Sequence, residues 1–209
     1  MHKIKSITAA VLIAIAAIGL SAPTAAAPVN LIIDAAGQLT GAMNVNVGGT
    51  LYDVTFMDGT CTALFSPCDA TSDFDFPDLA TAELAPQALL DQVLIDDPTG
   101  QYDSDPSQTT GCDDTSCEIL VPYGFLSFDP SKILAVSAFN AAMPNIFHEF
   151  DHINGVGFTR TDDTTLISRF TYALFAHTPP TSIPEPGTLL LFAVGLAFLA
   201  VFGRRRRQT

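Results

Sequence analysis

The sequence predicts an α+β domain, a mostly antiparallel β-sheet that could close as a sandwich and carries one main helix. Three observations predict it. Two alternating runs, 38–47 and 50–57, meet at Gly48-Gly49, a strong hairpin signal. One stretch, 77–95, spaces its apolar residues at helical intervals. Further apolar runs after residue 117 are cut by turn residues at strand-like lengths. A signal helix at the N-terminus and a transmembrane helix at the C-terminus complete the expected class.

The first 26 residues have the three regions of a secretory signal. Lys3 and Lys5 give a basic start, Ile7 to Leu20 is apolar apart from Thr8 and Gly19, and Ser21 to Ala27 is small and broken by Pro23. A cut after Ala27 would leave Pro28 first, so the expected cut follows Ala26. The acidic extracytoplasmic domain is then 27–177. Asn30 to Asp34 reads as a short strand. In the first hairpin arm Met43, Val45 and Val47 alternate with Asn44 and Asn46. In the second, Tyr52, Val54 and Phe56 separate from Leu51, Asp53 and Thr55. Asp58-Gly59 turns the chain into a cysteine loop, 60–72.

Leu79, Ala82, Leu89, Leu90, Val93 and Leu94 give the 77–95 stretch its apolar face. Pro86 lies inside it, which predicts a break there and a better helix from Pro86 to Leu94. Residues 96–117 read as an acidic loop. Strands are expected near 117–121, 124–128, 132–139, 155–160 and 165–176. Residues 178–182, with Pro179-Pro180, are a linker.

Charge narrows the function. Between the two terminal signals the only basic residues are Lys132, Arg160 and Arg169, against twenty-one acidic ones, a net −18. Such a surface repels nucleic acid and anionic lipid. It suits a solvated exported protein. Asp73-Phe-Asp-Phe-Pro-Asp78 and Asp103-Ser-Asp105 offer oxygen ligands for weak calcium binding, without the spacing of an EF-hand. No resident cofactor is expected.

Four cysteines fall as two close pairs, Cys61/Cys68 and Cys112/Cys117. An exported chain meets an oxidising compartment, where disulfides persist. Local pairing is the expectation among the three connectivities four cysteines allow. The spacings are loose for zinc.

One constellation has catalytic form. His148-Glu149-Phe150-Asp151-His152 matches H-E-x-x-H, in which two imidazoles one helical turn apart hold zinc and the glutamate acts as base. It requires a helix over about 144–154 and a third ligand, for which Asp162, Asp163 or His177 are the candidates. Position 158, where some such enzymes carry the third histidine, is Phe158. A secreted zinc hydrolase using His148, Glu149 and His152 is therefore the alternative, and a non-enzymatic protein the primary expectation.

The last segment, 183–209, is the most specific. Pro184, Glu185 and Pro186 precede an apolar run, Thr188 to Phe202, and then Arg204, Arg205, Arg206 and Arg207. The run is about 22 Å long as a helix against a hydrocarbon core of about 30 Å, short for a permanent span. Basic flanks stay cytoplasmic, so the body lies across the membrane. These three parts, in this order, resemble the PEP-CTERM sorting domain of Gram-negative bacteria. The resemblance implies export by the secretion machinery, transient anchoring by the C-terminal helix, and cutting near Pro184-Glu185-Pro186 by the membrane protease-transpeptidase exosortase. It implies release to the cell surface or extracellular matrix, in the setting of biofilm and exopolysaccharide. The stretch 48–61 is also similar to a recurrent body type among such proteins, which implies a shared fold and no activity.

Overall fold

The computed structural model describes residues 27–113, 115–142 and 152–178. Among the described residues nine strands run in chain order: β1 Asn30–Ile33, β2 Leu39–Val47, β3 Thr50–Met57, β4 Asp96–Asp97, β5 Gly100–Gln101, β6 Ser116–Leu126, β7 Asp129–Ala141, β8 His152–Thr159 and β9 Phe170–His177. Three short helices are α1 Cys61–Leu64, α2 Leu79–Ala82 and α3 Leu84–Gln92. β4 and β5 pair only with each other.

The expected hairpin forms. Val47 pairs with Thr50, and Gly48 and Gly49 turn the chain at φ +58° and +93°, a conformation that favours glycine. A bulge between Ala42 and Val45 places Asn44 at φ +61°, and its N–H donates to Asp53 Oδ1 at 3.1 Å.

The expected 77–95 helix is two helices. Asp78 caps α2, accepting from the Thr81 N–H at 3.0 Å. The break falls at Glu83, between α2 and α3. Pro86 has no N–H for the carbonyl of Ala82, and its ring crowds that carbonyl. It is tolerated as the third residue of α3, in the first turn. The Gln92 side chain then bonds both backbone groups of Asn46, at 3.0 and 2.9 Å, fixing the end of α3 to β2.

All seven long strands join one sheet in the order β1-β2-β3-β9-β6-β7-β8. This corrects the sandwich expectation: among the described residues nothing is left over for a second sheet except the small β4–β5 pair. Every neighbouring pair is antiparallel except β6–β9, which is parallel from Glu118/Phe170 to Leu120/Tyr172. The strands expected at 117–121 and 124–128 are one strand, β6, with a register shift between Pro122 and Gly124. The strand expected from 165 begins at Phe170. A 3₁₀ turn, Thr164–Leu166, precedes it, capped by Asp163.

The sheet is covered on both faces. Cys117, Ile119 and Val121 of β6 pack under α3 with Ala85, Ala88, Leu89 and Val93. On the other face Leu120 and Tyr172 pack under the cysteine loop with Cys61, Phe65, Cys68 and Phe74. Alternation along a strand produces this division. The disulfides pair locally, as expected: Cys61–Cys68 with Cα atoms 5.9 Å apart and Cys112–Cys117 at 5.5 Å. The first holds the loop that covers one face. The second joins the acidic loop to the start of β6.

Leu89 is fully buried under the sheet, whereas Leu166 is 84% exposed. Leu89→Ala should therefore lower the unfolding free energy by about 2–5 kcal/mol in urea titration. Leu166→Ala should change it by less than about 0.5 kcal/mol. Equal effects would contradict this packing.

Candidate functional site

β6 and β9 run side by side only as far as Leu120/Tyr172. Two residues on, β6 reaches Pro122, which has no N–H to continue the ladder. From there β6 pairs with β7 alone, and the sheet forks. The bulge at 122–124 also changes the face on which β6 side chains lie. Tyr123 packs with the helix-side core and Phe125 with the disulfide side.

Residues 74–76 fill the fork. Phe74 lies in the disulfide-side core, its ring 5.7 Å from Phe65 and 5.3 Å from Phe125. Phe76 lies in the helix-side core, 5.0 Å from Phe175 and 5.4 Å from Tyr52. Between them Asp75 Oδ2 accepts the Phe175 backbone N–H at 2.9 Å. A side-chain carboxylate thus takes the place of the missing strand neighbour of β9, and the chain crosses from one face of the sheet to the other.

Beside the fork lies an open pocket of about 440 Å³ between the cysteine loop and β3/β9. Met57, Leu64, Phe65 and Leu174 supply its apolar lining, and Asp73 and Asp75 its charge. The two carboxylates differ. Backbone N–H groups of Asp69 and Ala70 hold Asp73 below the usual carboxylate range, and Arg160 adds a smaller effect. Desolvation pushes Asp75 up, against the opposing bond from Phe175. Sequence reasoning missed this site. Its signals were Pro122 inside a strand-like run and the aromatic pair flanking Asp75.

The other acidic candidates serve local turns. Asp78 caps α2. Asp105 accepts from Ser107 and Gln108, and those bonds hold it below its usual range. Asp96, in the same loop, accepts from the Ser104 and Asp103 N–H groups. Among the described residues, no three His, Cys, Asp or Glu side chains group as a metal site.

The expected helix over 144–154 is corrected at its C-terminal end. His152 and Ile153 begin β8, paired with Phe139 and Ala138 of β7. His148 and Glu149 lie outside the described residues. The third-ligand candidates do not converge on His152. Asp162 accepts the Thr159 N–H at 2.7 Å, and Thr159 is seven residues along β8 from His152, about 23 Å. His152 is level with Phe170 through Phe139 and Glu118, so His177 lies at the opposite end of the sheet, beside Tyr52. Asp163 is occupied in capping the turn before β9.

Thr178 donates its N–H to Leu51 O at 3.0 Å and its hydroxyl to Asp53 Oδ1 at 3.2 Å. Only 179–182 separate that anchor from the tail. Pro184, Glu185, Pro186 and Arg204 to Arg207 lie outside the described residues, as do the signal segment and the candidate span 188–202. Among the described residues no helix is long and apolar enough to cross a membrane.

The described residues define a disulfide-stapled α+β domain that ends at Thr178. Beyond it in the sequence lies a known address: the PEP-CTERM protein-sorting motif matches residues 182–207. The motif implies export, processing by exosortase and delivery to the surface or beyond it. No curated protein and no solved structure matches the chain.

The geometry at Asp75 sets a sign. Its raised pKa means that the protonated form suits the fold better. Its contribution to stability is greatest below the ordinary carboxylate range and falls as pH rises through its raised value. Asp75→Asn keeps an acceptor for Phe175 and removes the ionised form. It should match or exceed the parent in urea stability at neutral pH and lose that advantage in acid. Asp75→Ala, without an acceptor, should lose about 1 kcal/mol at both. An Asn variant as weak as the Ala variant would show that the N–H bond is not what matters.

Proposed function

We propose that the protein is a non-enzymatic component of the cell surface or extracellular matrix, delivered by exosortase and associated with exopolysaccharide in a biofilm. The observation that carries this is the sorting motif at 182–207, placed four residues after a domain anchored through Thr178. The net charge of −18 between the terminal signals supports a body that stays solvated outside the cell. The strand at His152, with Asp162 and His177 at the far end of the sheet, favours the non-enzymatic reading over the zinc hydrolase.

Mass measurement of surface-released protein tests the delivery. The expected C-terminus lies before Thr188, and Pro184→Ala with Glu185→Ala should hold the full-length chain in the membrane fraction. A released protein still carrying Arg207 would defeat the sorting reading. Zinc analysis of the folded protein against His148→Ala tests the other half. Stoichiometric metal lost in that variant would revive the hydrolase.

A further inference from the structure

We infer that the pocket beside the fork binds an amino-sugar unit of a cationic glycan, its ammonium on Asp75 and Asp73 and its apolar ring face on Met57 and Leu174. In its class of partner the inference rests on the exopolysaccharide reading above.

The pocket carries negative charge without a cation to answer it. Its lining holds two carboxylates and no basic residue. Asp73 feels Arg160, but no basic group acts on Asp75 among the described residues. Asp75 Oδ2 is engaged by the Phe175 N–H, while its second oxygen has no partner among the described residues. Asp75 is partly exposed to the open pocket, and a carboxylate without a counter-charge is stabilised by an entering ammonium. The body's net −18 raises the local concentration of any cationic polymer before it docks.

The apolar lining decides the shape of the cation. Met57 is 42% exposed, so part of the lining is open to solvent. A bare metal ion would leave it wet, and the thin stem of a lysine would cover little of it. A pyranose presents a broad apolar face with polar groups around its rim. The hydroxyls of Thr55 and Ser66 and the two carboxylates supply partners for that rim. A neutral or N-acetylated sugar offers no positive charge to Asp75, and an anionic one is repelled.

Calorimetric titration of the purified full-length chain tests this with three oligomers: glucosamine, N-acetylglucosamine and lysine. The glucosamine oligomer should bind, and the N-acetylated one should bind at least about tenfold more weakly. Asp75→Asn should weaken glucosamine binding about tenfold. Met57→Lys, which places an ammonium of its own beside the pocket, should also abolish it while leaving the Asp75 contact intact. Glu83→Gln removes the same charge from an exposed site between α2 and α3, and should leave binding unchanged. Equal weakening by Glu83→Gln would reduce the effect to general polyanion attraction and overturn the inference. So would N-acetylated oligomer binding as tightly, or an oligolysine affinity that depends on Asp75 as strongly. Whether the protein fractionates with the matrix is read separately: intact delivery without glucosamine binding sinks only the pocket, and failed delivery with intact binding sinks only the proposed function.

Discussion

β6 can accompany β9 only as far as Leu120, and the architecture turns on that limit. A buried strand edge must find partners for its backbone groups. Pro122 stops β6 from supplying them and turns it toward β7. The segment 74–76 supplies one instead, through the Asp75 carboxylate, and seals both sides of the gap with Phe74 and Phe76. The order of the chain follows from this. The disulfide loop must lie on one face and the helices on the other, because the segment joining them passes through the fork. The pocket exists because a loop, and not a strand, borders β9 there.

The local structure was legible wherever a single residue type dictates geometry. Gly48-Gly49 announced its hairpin, Pro86 its helix break, and the two close cysteine pairs their bridges. The sorting tail was legible because its three parts are defined by composition. What could not be read was decided by long-range pairing. The alternation of β6 looks interrupted at Pro122, yet β7 carries it through as one strand. The 152–154 segment has helix-compatible residues, yet pairing with Phe139 and Ala138 makes it strand. No local signal says that the last strand inserts between β3 and β6. Asp75 belonged to a run that reads as calcium-like, and only the fork gives it a different role.

The acidic surface is less idle than its composition suggests. Asp34, Asp78, Asp96, Asp97 and Asp163 each accept backbone N–H groups in turns and caps. Loops that lack apolar residues are thereby given defined shapes by their own carboxylates. Where an acid is buried, it is partnered. Glu118 receives the Ser137 hydroxyl at 3.3 Å and faces Arg169 at 3.8 Å, and Arg169 also lies over the Phe170 ring. These groups sit at the start of the parallel pairing, where β9 enters the sheet.

That entry point has a mechanical meaning. β9 is the last strand among the described residues and an interior strand of the sheet, held by β3 along its length and by β6 at its beginning. A pull on the C-terminal end arrives at Thr178, which is itself bonded to Leu51 and Asp53. Such a load runs along β9 and shears many hydrogen bonds together. An edge strand would instead peel away one bond at a time. Load applied through the C-terminal end thus falls on a strand that is not easily drawn out.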